Sequence, residues 1–262
     1  MKPLNLPIVD WRNKSVWLIG ASSGIGMACA IELTKLGANV AVSARKVEAL
    51  NAFASGCKSS IAIEVDVMNN DSIEKAFNRV KDHQGIDVVI YCAGHYLEQS
   101  AIDFNLDEMI KHNDINYLGL CRVLSCVLMP MMNQGFGHIG IISSVAGYQG
   151  LPKSLAYGPT KAALINLSES LYLDLHEHGI GVSLINPGFV QTPLTDQNKF
   201  HMPALISAAE AAQEMVKGWG KGEFEIHYPK RFTRVLKFLK LLPYGFYFKL
   251  VKKATEQRTP SI

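Results

Sequence analysis

Tyr157 and Lys161 stand four positions apart in Tyr157-Gly-Pro-Thr-Lys161, a spacing that puts both side chains on one face of a helix. A free phenol has a pKa of about 10, so roughly one part in a thousand is ionised near neutrality and it is a poor acid–base group unaided. A neighbouring ammonium and the positive end of a helix favour the phenolate, and bringing the group to about 7–8 takes roughly 3–4 kcal/mol. Ser144, thirteen residues upstream, ends the apolar run Ile141-Ile142-Ser143. Its hydroxyl can donate to a carbonyl oxygen that gains negative charge as hydride arrives at carbon. Asn116, in Ile115-Asn116-Tyr117-Leu118-Gly119, lies in a long apolar segment where an amide is costly without partners. By itself it reads as an odd core polar residue.

A second cluster is shaped for phosphate. Gly20-Ala21-Ser22-Ser23-Gly24-Ile25-Gly26 follows an apolar run and opens a helical one. Glycine serves where the chain turns tightly and where a pyrophosphate approaches without a Cβ in the way, and the helix start offers free N–H groups. A purely structural turn is the competing reading. About 20 residues further on, where a carboxylate would hold a ribose 2′-hydroxyl, the sequence has Val42-Ser43-Ala44-Arg45-Lys46 and no acid. Arg45 suits a 2′-phosphate through its forked guanidinium, which favours NADP(H) over NAD(H), unless Arg45 and Lys46 only form a solvated helix start.

These residues need a frame. Short, nearly continuous apolar runs rich in β-branched residues recur near 16–20, 39–43, 61–65, 87–91, 138–143 and 181–186. Segments of helical period separate them, near 24–36, 46–55, 70–82, 105–133 and 156–178, with another near 207–218. That alternation predicts an α/β fold, a doubly wound parallel sheet in a three-layer sandwich, with ligands at the carboxyl ends of the strands. Phe224 to Tyr228 alternates weakly and reads as a seventh, edge strand. Asn69-Asn70-Asp71-Ser72 marks a helix start, and Leu36-Gly37 and His178-Gly179 mark helix ends.

The order of glycine turn, Asn116, Ser144, Tyr157, Lys161 and Asn186-Pro187-Gly188-Phe189-Val190-Gln191-Thr192 over residues 15 to 195 resembles the short-chain dehydrogenase/reductase family. The resemblance implies a Rossmann-type fold and hydride transfer between NADP(H) and a carbonyl or alcohol substrate. Tyr157 would be the acid–base group, Lys161 would lower its pKa and hold the ribose, Ser144 would orient the substrate oxygen, and Asn116 would position a water that passes protons to Lys161. Cofactor contacts would fall on Gly20, Ser22, Ser23, Gly24, Ile25, Gly26, Arg45, Asp66, Val67, Ala93, Gly94, Tyr157 and Lys161. Pro187, Gly188, Val190 and Thr192 would hold the nicotinamide end. Taken alone, Asp66 reads as a helix-entry cap. One departure stands out: the fourth strand ends Tyr91-Cys92-Ala93-Gly94 where many members have Asn-Asn-Ala-Gly. A non-catalytic dinucleotide-binding sensor or scaffold is the alternative, and a non-redox lyase or epimerase a third reading.

The chain of 262 residues is 48% hydrophobic and 19% charged, enough to bury one large core and too apolar for a disordered segment. Its five cysteines are odd in number and never spaced Cys-x2-Cys, which disfavours a disulfide framework or zinc site and suits a reducing compartment. The first residues lack the apolar run of a signal peptide, so the expectation is cytoplasmic. No metal is expected: His176 and His178 are two apart and face away from each other. His95 stands where it could touch substrate. A substrate lid is expected over about 193–218, with Phe200, Met202, Leu205 and Ile206 offering an apolar lining or ordinary loop packing. The family resemblance implies a homo-oligomer built partly on the Tyr157 helix.

Residues 1–228 read as the dinucleotide-binding and catalytic unit and 229–262 as an apolar, basic extension. From Tyr228 to the end, nine Lys/Arg face one Glu, while the remaining residues carry a net charge of −5. That asymmetry argues against a nucleic-acid binder. The extension is too interrupted by lysines and Pro243 for a spanning helix and reads as two short amphipathic helices. Peripheral membrane contact, cover for the sheet edge, or a subunit interface are the three uses it suggests.

Overall fold

The computed structural model describes residues 2–57, 59–198 and 202–256. Its central sheet is built from β1 (Ser15–Ile19), β2 (Asn39–Ala44), β3 (Ser60–Glu64), β4 (Val88–Tyr91), β5 (Gly137–Ile142), β6 (Ile180–Pro187) and β9 (Glu225–Tyr228). The order is β3-β2-β1-β4-β5-β6-β9 and every pairing is parallel. The chain reverses direction across the sheet between β1 and β4, and that is where a crevice opens at the carboxyl edge. β9 is the expected edge strand. A pair outside the sheet, β7 (Val190–Gln191) with β8 (Ile206–Ser207), was not legible in the sequence.

Alternation along β1 divides the core in two. Trp17 and Ile19 pack on the face covered by α3 (Asn70–Gln84), α5 (Gly119–Gln134) and α6 (Tyr157–Leu175). Val16 and Leu18 pack on the other face, under α1 (Gly24–Lys35), α2 (Glu48–Ser55) and α7 (Ala208–Gly220). Burying each such side chain contributes about 1.5–3 kcal/mol, which fixes β1 at the centre of the core. Polar residues set the ends of these elements: the Asn69 side chain accepts from Ser72 N (3.1 Å) at the start of α3, and Gly179 takes φ +75° after the Tyr157 helix.

Three boundaries differ from the sequence expectation. The helix expected over 105–133 is α4 (Leu106–Asn113) and α5 joined by a π-helical turn, Asp114–Leu118. Leu106–Gln134 is long and apolar enough to cross a bilayer, but it is a core helix, with Leu120, Val123 and Val127 buried against the sheet. The helix expected to reach 178 is α-helical only to Leu175 and closes in a 3-10 turn at His176–His178. Within the segment expected as a lid over 193–218, α7 is fixed to the core by Ala211, Ala212, Met215 and Trp219, all buried. Phe200 lies outside the described residues.

The extension forms α8 (Lys230–Leu239) and α9 (Tyr244–Glu256). α8 packs beside β9, where Lys237 pairs with Glu225 and the Thr233 hydroxyl bonds His227 Nδ1 at 2.6 Å.

Candidate active site

A cavity of about 930 Å³ opens at the carboxyl edge of the sheet. Tyr157 begins α6 and Lys161 follows one turn later, with Nζ 5.5 Å from the centre of the Tyr157 ring. Both line the cavity together with Ser144, which stands just beyond β5. Gly147 lets this arrangement close: a Cβ there would lie 2.6 Å from the Lys161 carbonyl carbon. Ser143, the neighbour of Ser144, donates to the Lys161 carbonyl at 2.7 Å and ties the strand end to the helix.

Burial shapes the acid–base chemistry. Lys161 is 3% exposed, donates through Nζ to the Ile142 carbonyl at 2.9 Å, and is held by desolvation at a pKa of about 8. Burial raises the Tyr157 phenol to about 12, against the Ser144 hydroxyl, which hydrogen-bonds it and pulls the other way. The neighbouring Tyr96, whose ring meets it edge-on at 5.0 Å, reinforces the rise. The sequence predicted a lowered phenol; the chain's own groups instead raise it, because desolvation outweighs the Ser144 hydrogen bond.

Asn116 is fully buried in the π turn. Its Nδ2 donates to the His95 carbonyl and to Thr160 Oγ1, both at 3.0 Å, and its Oδ1 accepts from His95 N at 2.7 Å. The amide is therefore a clasp between the loop after β4 and α6. A Cβ on Gly94 would lie 3.7 Å from Asn116 Oδ1 and 3.9 Å from Lys161 Nζ, so the three meet at one point.

The remaining sequence-predicted positions converge on the same cavity. Gly20, Ser22, Ser23, Gly24, Ile25, Gly26, Arg45, Asp66, Val67, Ala93 and Gly94 line one part, and Pro187, Gly188, Val190 and Thr192 line another. Gly20 has φ +91° and its missing Cβ would strike Ala93 N at 2.3 Å, so the glycine turn must press against the end of β4. Gly24, at φ +57°, faces the Thr192 methyl with only 3.0 Å for a Cβ. This cradle of bare backbone at the start of α1, with Arg45 exposed beside it, fits a dinucleotide. Asp66 accepts from Met68 N (3.0 Å) and lines the cavity, while Asn69 is the cap of α3.

Other residues behave differently from the sequence reading or were missed by it. His95 is absent from the cavity lining; its Nε2 is 2.8 Å from Glu108 Oε2 and its ring lies tilted against that of His112, with centroids 4.5 Å apart. His95, Glu108 and His112 have metal-ligand spacing, but His112 donates from Nδ1 to the Glu108 carbonyl and accepts at Nε2 from Leu97 N. Both nitrogens of His112 are thus spent on bracing the loop. Thr195, unforeseen, accepts from Thr192 N (3.1 Å) and donates to the Val190 carbonyl (2.6 Å), so it shapes the segment expected to hold the nicotinamide. Leu205 and Ile206 lie outside the cavity lining.

The model of the short chain dehydrogenase family matches residues 14–202. The chain belongs to that family. An uncharacterized oxidoreductase of Myxococcus xanthus is 32% identical over 241 residues, covering 90% of this chain and 95% of its own. One of Staphylococcus epidermidis is 32% identical over 207 residues, 78% of this chain and 90% of its own. Among solved structures, a short chain dehydrogenase/reductase from Burkholderia phymatum in complex with NAD superimposes with a TM-score of 0.81 at 20% identity, covering 97% and 99% of the two chains. This short chain dehydrogenase is therefore an oxidoreductase of a family that uses NAD(P).

The departure at Tyr91-Cys92 has a structural counterpart. Tyr91 is fully buried and its hydroxyl donates to the Ile115 carbonyl at 2.5 Å, inside the π turn that carries Asn116. Gly119, at the end of that turn, makes room: a Cβ there would lie 2.3 Å from the Tyr91 oxygen. A phenol from β4 thus anchors the turn that presents Asn116. Cys92 lines the cavity near Lys161, and burial pushes its thiol up to about 12.

Proposed function

We propose that this short chain dehydrogenase is an NADP(H)-preferring reductase of carbonyl groups, with an apolar substrate portion, and that Tyr157 is its acid–base group. The observation that carries the reading is Tyr157, Lys161 and Ser144 facing one cavity with the glycine cradle at its other side. The dinucleotide, when bound, supplies the hydride. Ser144 orients the substrate oxygen, and the Tyr157 hydroxyl gives that oxygen its proton as negative charge develops there. Because burial keeps Tyr157 protonated, the resting chain is loaded for reduction; oxidation requires the phenolate and hence added positive charge beside the ring.

Lys161 holds the ribose side of the site and, when protonated, supplies part of that charge. Asn116 fixes the loop beside it through the His95 backbone and Thr160. Arg45 carries the preference for a 2′-phosphate, with Lys46 next to it on the cavity wall and no acid at the corresponding strand end; Glu48 lines the cavity one turn further on. Pro193 and Leu194 give the substrate side an apolar surface. A homo-oligomer in the cytoplasm fits the family.

Tyr157→Phe tests the assignment. The variant should bind NADPH, read by quenching or calorimetry, and lose turnover on a panel of ketones by roughly 10²-fold or more. Near-normal turnover removes Tyr157 from the role, and NADPH binding without turnover in the unsubstituted chain favours the sensor or scaffold.

A further inference from the structure

α8 and α9 have two unlike faces. Inward, Phe232 packs against Gly188 and Phe189, Thr233 is buried, and Tyr247 is 3% exposed with its hydroxyl donating to the Gly150 carbonyl at 2.8 Å. Lys237 pairs with Glu225, whose carboxylate also accepts from Tyr148 (2.7 Å) and Asn186 (2.9 Å). The two helices are therefore fastened to the segments that follow Ser144 and Pro187, the walls of the active site.

Outward the chemistry is reversed. Val235, Phe238, Leu241, Tyr244, Phe246 and Phe248 are between 57% and 79% exposed. Soluble monomers rarely gather so many large apolar side chains in one exposed stretch. Arg231, Arg234, Lys240, Lys249 and Lys253 are exposed among them, and Glu256 is the only acid from Lys230 to Glu256. A second copy docking about a two-fold axis would bring these cations onto each other, which costs affinity. A nucleic acid would use the cations and leave the rings in water. An anionic bilayer satisfies both, with aromatic rings at headgroup depth and cations on the phosphates.

We propose that this outward face of α8 and α9 docks the enzyme on an anionic lipid surface, with the active-site walls attached directly behind it. The proposal is independent of the catalytic assignment. The full chain should co-sediment with vesicles of phosphatidylglycerol in phosphatidylcholine, weakly or not at all with phosphatidylcholine alone, and less as salt rises. Phe238→Ser with Leu241→Ser and Phe246→Ser, and separately Arg231→Glu with Arg234→Glu and Lys240→Glu, should each weaken partitioning at least about tenfold. All six positions are exposed, and an unchanged circular dichroism spectrum and melting temperature confirm that each variant is folded. Failure of the unsubstituted chain to bind anionic vesicles overturns the proposal, as does unchanged binding by either folded variant. Loss of a dimer by the apolar variant in sedimentation velocity, without lipid binding in the unsubstituted chain, assigns the face to a second copy instead.

Discussion

Lys161→Met should make the protein more stable near neutrality while disabling it. Desolvation lowers the Lys161 pKa from an ordinary 10.5 to about 8, so carrying the charge in the folded state costs roughly 3 kcal/mol. Methionine removes that cost and fills the space, but gives up the 2.9 Å hydrogen bond to the Ile142 carbonyl, a loss of about 1–2 kcal/mol. The net gain is about 1–2 kcal/mol, roughly 2–6 °C in Tm for a chain of this size. Its pH dependence carries the test. Below about 8 both folded and unfolded chains hold the proton and the full penalty applies. Between about 8 and 10.5 the unfolded chain still holds a proton that the folded chain has released, so the unsubstituted protein gains stability as pH rises and the advantage of Lys161→Met closes. Urea unfolding of both proteins near neutrality and near the upper end of that window measures it. A variant that is less stable at both, or a difference that does not change with pH, refutes burial as the cause.

Arg45→Ala should raise the KM for NADPH roughly 10–100-fold and leave NADH nearly unchanged, since one forked contact to a 2′-phosphate is worth about 1.5–3 kcal/mol; equal effects on both cofactors would remove Arg45 from that role. His138, buried against Ser183 and held at about 4 by desolvation, takes up a proton in the unfolded chain first. Stability is therefore full above about 6.5 and falls by up to roughly 3 kcal/mol as pH drops toward 4, and the fall should shrink in His138→Asn. Gly119→Ala should destabilise by about 1–3 kcal/mol through its clash with the Tyr91 oxygen. In the Tyr91→Phe background the same change should cost measurably less, and strict additivity of the two would show that the contact is relieved elsewhere.

The inner strands were legible because they are apolar on both faces, the crossover helices because their buried residues recur at helical spacing, and β9 only as a weak alternation because one of its faces carries Glu225 and His227. Tyr157, Lys161, Ser144 and the glycine turn were legible because their chemistry depends on spacing along the chain. What the sequence hid depends on contacts across it. The π turn at Asp114–Leu118 has no local signal, and the contact that anchors it comes from Tyr91, more than twenty residues upstream, donating to Ile115. Thr195 reads as one more loop hydroxyl until the backbone folds Val190 and Thr192 around it. His95 was expected at the substrate because of its place after Ala93-Gly94, but Glu108 and His112 one helix away capture its ring. The direction of the Tyr157 shift was missed for the same reason: the sequence shows the amine that lowers a phenol pKa and conceals the burial that raises it.

Asn116 shows how tightly these cross-chain contacts constrain the proton path. Both hydrogens of its amide are committed, one to the His95 carbonyl and one to Thr160, so its side chain has no donor left to offer a water. Only Oδ1, which already takes His95 N, retains a lone pair, and Gly94 leaves the space between it and Lys161 Nζ free of a Cβ. Asn116 can therefore accept a hydrogen bond there but cannot hand on a proton, so in the proposed reduction any proton that Lys161 gives up toward Tyr157 must be regained from solvent. Because Lys161 titrates at about 8, that recovery slows as pH rises through the same range in which Tyr157 stays protonated. If the reaction is the proposed carbonyl reduction, its alkaline fall should follow the lysine, with a midpoint that moves with substitutions altering the burial of Lys161 and not with those altering Tyr96.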